Sequence, residues 1–170
     1  MQAVDTIEGP LPLPTSAANG GNSGVNTRFL DSLIGYNARR AALAIIGRVL
    51  PRLAPYGLRV VDFSVLTVIA HNPGITSRQV CSALDILPPN LVGLLRSLEK
   101  RGRVEKREHP SDRRAQGLYV TGSGAEVQAR AQAEVAAVEH GRLTHLDAQQ
   151  RATLIYLLRK VYEASDSQSR

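Results

Sequence analysis

The chain has 170 residues, 43% of them hydrophobic, enough for one compact domain with a core and a short appendage. Its 21 Lys and Arg against 15 Asp and Glu give a net charge of +6, which favours a polyanionic partner such as nucleic acid or an anionic membrane surface. A lone cysteine, Cys81, excludes an internal disulfide framework and a Cys-rich zinc site. No apolar run approaches the roughly 18 residues of a spanning helix, and the N-terminus lacks the basic start and apolar stretch of a signal peptide. The expectation is a soluble cytoplasmic protein with no membrane partner.

Residues 1–27 are crowded with Pro, Gly, Asn and Ser and carry no amphipathic period, so they are expected to form a disordered arm. From Leu30 to Leu53 two apolar stripes run at helical spacing: Leu30, Ile34, Ala38, Ala41 and Ile45, then Leu43, Ile46, Leu50 and Leu53. A helix with two apolar faces is buried on two sides, against its own domain and against a second subunit. Asp62 is placed to cap a helix over Phe63–His71, which Asn72-Pro73-Gly74 stops.

Thr76-Ser77-Arg78-Gln79 has the Ser/Thr-x-x-Gln capping pattern and opens a short helix through Val80, Cys81 and Leu84. Pro88 and Pro89 suit the first turn of the next helix, which Leu91, Leu94, Leu95 and Leu98 carry to Arg101, with Gly102 as its C-terminal stop. A strand around Val104–Arg107, a polar turn His109–Arg114 and a strand holding Leu118 and Val120 read as a hairpin. Ser123-x-x-Glu126 and Asp147-x-x-Gln150 mark two more helix starts, the first helix carrying Val127, Ala131, Val135 and Val138, the second running from Ala148 to Ala164.

A short capped helix, a three-residue turn and a longer helix are the parts of a helix-turn-helix, and a basic hairpin directly after it is a wing. The segment Arg96–Arg114 holds eight Arg or Lys against four acids, a local basic patch. The fold class expected is therefore mainly α, an α+β winged helix, with a helical dimerisation lobe over 28–57 and 122–165, a winged helix-turn-helix over 58–121 and a flexible tail at 166–170. No enzyme is expected and no cofactor or metal: His71, His109, His140 and His145 show no ligand spacing, and no nucleophile or phosphate-loop motif is present.

The run NLVGLLRSLEKRGRV from Asn90 to Val104, followed by HPSDRRAQGLYVTGSGAEV, resembles the core of the MarR family of transcription regulators. Leu98-Glu99-x-x-Gly102, Asp112-x-Arg114 and Val120-Thr121-Gly122-Ser123-Gly124 stand in that family's order and spacing, and the likeness covers residues 28–164. It implies a homodimer on a pseudo-palindromic stretch of operator DNA, acting as a repressor and released by a small aromatic or phenolic acid. The alternative is a helical module that keeps the fold but binds protein.

By position the resemblance makes Arg114 the wing residue that enters the minor groove, held by Asp112, with Arg113, Arg107 and His109 toward phosphates or simply solvated. On the longer helix Pro89, Asn90, Gly93 and Arg96 fall in the exposed turns. Asn90 either reads adenine or only supports the helix start, and Gly93 stands where many relatives place a longer polar side chain. Thr76, Ser77 and Arg78 are suited to phosphate, Thr76 doubling as a cap. For the effector, the resemblance points to Tyr36 and Arg40, four apart on the first helix, with His71 at the end of the next; ordinary interface packing is the other reading of Tyr36 and Arg40, and a helix-end hydrogen bond that of His71. Cys81 falls on an apolar position and is expected to be buried and inert.

Overall fold

The computed structural model describes residues 25–108, 116–141 and 146–166. They form α1 (Arg28–Asp31), α2 (Ile34–Leu53), a 3-10 turn (Ala54–Tyr56), α3 (Val60–His71), α4 (Ser77–Leu84), α5 (Pro88–Lys100), β1 (Val104–Glu108), β2 (Gln116–Val120), α6 (Gly122–His140) and α7 (Ala148–Asp166). The chain is thus mainly helical, with one antiparallel strand pair among the described residues, in the element order expected of a winged helix. No single helix among the described residues is long and apolar enough to cross a membrane. Most of the expected N-terminal arm and the last four residues of the expected tail lie outside the described residues, and Asp166 is the end of α7.

The chain divides into two units, one ending at Arg39 and the other beginning at Arg40. In the first, the helix expected from Leu30 is interrupted at Ser32–Leu33. Polar side chains compete there with the helical ladder: Ser32 Oγ donates to the Phe29 carbonyl at 2.7 Å, and Asn37 Nδ2 donates to the carbonyls of Asp31 and Leu33 at 2.8 Å each. Phe29, Leu30, Leu33 and Ile34 stay exposed.

The second unit is built around α3, which packs against α4, β2 and α6, while α4 packs on α5 and α5 on β1. Val65, Leu66 and Ile69 of α3 meet Val80 of α4, Leu118 of β2, Ala131 of α6 and the Leu91, Leu94, Leu95 and Leu98 stripe of α5 in one core cluster. Each such side chain taken fully out of water contributes roughly 1.5–3 kcal/mol before entropy is counted. Cys81 packs half-buried against this core, not fully within it.

Helix starts fix where these elements face. Thr76 Oγ1 accepts from the Gln79 N–H at 3.3 Å while Gln79 Oε1 accepts from the Thr76 N–H at 2.9 Å, the reciprocal cap expected from the sequence. Asp147 and Gln150 do the same for α7, at 2.8 and 3.0 Å. Asp62 does not cap α3 as expected: the helix begins three residues earlier, Arg59 is the N-cap, and Asp62 is the third helical residue, accepting from the Arg59 backbone N–H at 3.0 Å. α5 opens on Pro88 and Pro89, and after its C-cap Arg101 the chain turns on Gly102, φ +65°, a conformation few other residues hold cheaply.

β1 and β2 pair with Val104 opposite Val120 and Glu108 opposite Gln116. The Ile75 segment adds a third rung, Leu118 N–H donating to the Ile75 carbonyl and Gly74 N–H to the Leu118 carbonyl, both at 2.9 Å. The start of α6 differs from expectation. Its cap is Thr121, whose Oγ1 accepts from Gly124 N–H at 3.0 Å, whereas Ser123 Oγ donates to the Gly102 carbonyl at 2.9 Å and so ties α6 to the end of α5. Gly124 permits this approach, because a Cβ there would lie 2.0 Å from the Arg103 carbonyl oxygen. Alanine ordinarily stabilises a first turn relative to glycine. Gly124→Ala is expected to do the opposite, lowering stability by about 1–3 kcal/mol in urea unfolding as the Arg103 strand entry is pushed away.

Candidate nucleic-acid interface

With Leu91, Leu94, Leu95 and Leu98 buried, the periodicity of α5 turns Pro89, Gly93, Arg96 and Lys100 outward as a single row at i, i+4, i+7 and i+11. All four are exposed, and neither Arg96 nor Lys100 has a hydrogen-bonding or ionic partner among the described residues. Asn90 and Val92 flank the row on opposite sides, Val92 being 48% exposed. Nothing lies within 4 Å of a Cβ added at Gly93, so the fold does not require glycine there. The row is therefore a smooth, narrow surface with two cations at its C-terminal half that are unpaired among the described residues.

On α4, Ser77 and Arg78 are exposed in the first turn beside the Thr76 cap, and Arg78 too has no partner among the described residues. On β1, Arg107 is engaged: it pairs with Glu105 on its own strand, and its guanidinium lies 4.9 Å from the Tyr119 ring centroid across the hairpin. Lys106 binds Glu99 at 2.8 Å, bracing the wing strand against α5. His109, Asp112, Arg113 and Arg114 lie outside the described residues.

The sequence reading missed a cluster at the opposite end of α3. Arg59 forks onto Asp62, Nε to Oδ2 and Nη2 to Oδ1, both at 3.0 Å, and Asp62 is only 2% exposed. Arg101, the C-cap of α5, reaches the same carboxylate at 3.7 Å, donates from Nε to the Ser97 carbonyl at 3.1 Å, and bonds the Gly57 carbonyl through Nη1. Burial by itself would raise the pKa of Asp62; the hydrogen bonds and charge of Arg59, helped by Arg101, outweigh it and hold the carboxyl below its ordinary range. Arg59 in turn borders a cleft of about 820 Å³, whose other walls include Asp85 and Ile86 of the α4–α5 turn and Pro89, Asn90 and Gly93 of α5.

The structure brings Pro89, Asn90, Gly93 and Arg96 together on one exposed helix surface, with Lys100 as a further member readable from its spacing. Tyr36 is half-buried in the first turn of α2, Arg40 is exposed one turn on, and His71 is the exposed last residue of α3. None of the three lines the cleft beside α5.

Residues 56–115 match the model of the MarR family. Among solved structures, the transcriptional repressor CouR bound to a 23-mer DNA duplex superposes with a TM-score of 0.76 and 35% identity, over 82% of this chain and 99% of that one. The chain belongs to the MarR family. A second neighbour structure, CouR from Rhodococcus jostii RHA1 bound to p-coumaroyl-CoA, shares 33% identity over 79% of this chain and 92% of that one, with a TM-score of 0.68. Rv2887 of Mycobacterium tuberculosis, a MarR-family protein solved with salicylic acid, shares 27% identity over 76% and 96% of the two chains, TM-score 0.61. In sequence, the transcriptional regulatory protein assigned to the hcr operon of Thauera aromatica is 31% identical over 100 residues, 59% of this chain, which spans 60% of that relative's length. Relatives among these are named as transcriptional regulators, and the chain is a DNA-binding transcription regulator of the MarR type.

Because the folded pKa of Asp62 is depressed, the stability it contributes is complete above the unfolded carboxylate value near pH 4 and is lost as pH falls through the folded value. Thermal melts of wild type and Asp62→Asn are expected to differ most near pH 7, the variant being less stable, and to converge as pH is lowered from about 5 toward 2.

Proposed function

We propose that this MarR-type regulator is a homodimeric repressor that sets the outward row of α5 into the major groove of each operator half-site. The observation that carries the reading is that row itself: Arg96 and Lys100 stand without a partner among the described residues, beside the bare turn of Pro89 and Gly93, on a helix whose other face is committed to the core. The capped start of α4 supplies backbone donors, with Ser77 and Arg78, to a phosphate of one strand. Arg114, held by Asp112, enters the minor groove from the wing, with Arg113, Arg107 and His109 nearer the phosphates.

Dimerisation is supported by apolar surface that the described residues of one chain leave open. Leu154, Ile155, Tyr156, Leu157, Leu158, Val161 and Tyr162 of α7 are all exposed, as are Leu43, Ile46 and Leu50 of α2. A second copy covers this surface, making 28–57 and 122–165 the dimer lobe and 58–121 the reading lobe, with half-sites about 10 bp apart or a multiple of that. The effector is a phenolic or aryl acid, free or as a thioester, by analogy with CouR on p-coumaroyl-CoA and Rv2887 on salicylic acid.

In fluorescence-anisotropy titrations on DNA from its own promoter region, wild type is expected to bind tightly with a steep salt dependence. Arg96→Ala and Arg114→Ala each weaken binding, and removing a cation that neutralises one phosphate makes the slope of log affinity against log salt shallower by about 0.9. Gly93→Ala raises the melting temperature yet weakens operator binding, because the added methyl is tolerated by the fold but stands in the groove. Wild type without affinity for any promoter sequence, or variants indistinguishable from it, would sink the reading.

Sedimentation is expected to give twice the chain mass for wild type and a monomer for Leu154→Glu with Leu158→Glu. Salicylate, p-coumarate and p-coumaroyl-CoA at excess should raise the melting temperature and release DNA, and an effector of another class is indicated if all three leave both unchanged.

A further inference from the structure

The row on α5 accounts for one wall of the cleft beside it, and the opposite wall carries a cation that the operator-binding reading does not use. Arg59 is 66% exposed, yet its guanidinium is fixed by two hydrogen bonds of 3.0 Å to a carboxylate that is 2% exposed. A surface arginine usually samples many rotamers, and ordering it on a ligand costs entropy at the moment of binding. Here that ordering is completed during folding.

The fork to Asp62 engages two of the five N–H donors that a guanidinium carries, and the other three have no partner among the described residues. Asp62 is shared with Arg101, so the cluster holds two guanidinium groups against one carboxylate and keeps one net positive charge. Arg101 spends its donors inward, on the Ser97 and Gly57 carbonyls. The excess charge therefore faces solvent through Arg59, in the same cleft as Pro89, Asn90 and Gly93.

We propose that Arg59 is a DNA-backbone ligand, held in place by Asp62, that grips a phosphate flanking the major groove occupied by α5. The proposal rests on the operator-binding reading above. A strand that runs alongside α5 meets the cleft as its phosphates leave the groove, and the three outward donors of Arg59 match a phosphate oxygen pair. Leu87, 70% exposed on the same cleft, lies where the apolar face of a deoxyribose fits. Asp85 lines the cleft from the α4–α5 turn and repels phosphate, which directs the backbone to the Arg59 side. Asp62 touches no DNA and is a positioning residue. Every phosphate is alike, so Arg59 adds affinity without sequence preference.

The test uses the full chain, its promoter duplex and an unrelated duplex of equal length, titrated at several salt concentrations. Arg59→Ala is expected to lose about tenfold in affinity on both duplexes and to make the salt slope shallower by about 0.9. Arg59→Lys keeps the charge but not the fork, so its slope stays that of wild type while its affinity falls in part. Asp62→Asn, confirmed folded by circular dichroism, also weakens binding with the slope unchanged, because the charge remains but is no longer held. An Arg59→Ala slope equal to that of wild type, whatever the affinity, would show that Arg59 only braces α3 and would overturn the proposal. So would Arg59→Lys with the shallower slope of the alanine variant. If wild type binds neither duplex, the operator-binding reading fails first, and this proposal with it.

Discussion

Taking an ionised carboxylate out of water costs several kcal/mol unless cations and hydrogen bonds replace its hydration shell. Asp62 meets that condition with two arginines from different parts of the chain, and in doing so joins three places that must keep a fixed relation. Arg59 belongs to the start of α3, Arg101 to the end of α5, and the Gly57 carbonyl held by Arg101 to the turn that leaves α2. The exposed row of α5 is thus set at its N-terminal end by the α4 turn and at its C-terminal end by this cluster. Removal of either arginine leaves a buried charge short of partners, so the cluster behaves as a unit.

Local chemistry explains what was legible in the sequence. The Thr76–Gln79 and Asp147–Gln150 caps are written within four residues, as are the proline entry of α5 and its glycine exit, and each formed as read. The Leu91, Leu94, Leu95 and Leu98 stripe was equally plain, since a helix of that length with one apolar face has only one side to bury. The errors arose where a residue had two possible partners. Asp62 looked like a cap because carboxylates favour that position, but the buried pair with Arg59 and Arg101 drew it one turn inward. Ser123 looked like the cap of α6, but the helix begins at Gly122, so that Thr121 accepts from the Gly124 N–H and both hydroxyls donate to the Gly102 carbonyl, a partner some twenty residues back in the chain. The break at Ser32 was hidden by an apolar period that continues across it while Ser32 and Asn37 take the backbone carbonyls.

The site divides in the same way. Pro89, Gly93, Arg96 and Lys100 follow from helical spacing once the buried face is known. Arg59 does not, because the twenty-nine residues between it and Pro89 carry no periodicity that relates them, and only the packing of α3 against α4, and of α4 against α5, makes them neighbours. The apolar surface of α7 is a third case: its run of leucine, isoleucine and tyrosine was obvious as sequence, but only the fold reveals that the described residues leave it exposed.

The paired prolines that open α5 reach beyond the shape of its first turn. A helix normally begins with four free backbone N–H groups, and these are its means of gripping anions. Pro88 and Pro89 delete two of them, and the Asn90 N–H is turned back onto the Leu87 carbonyl, which leaves only the N–H of Leu87 free among the described residues. The leading edge of α5 consequently offers phosphate far fewer backbone donors than an ordinary helix start. It slides past a backbone without sticking, and its hold on any polyanion has to come from side chains further along the helix and from neighbouring elements, so the depth to which it settles is governed by fit and not by charge at its tip.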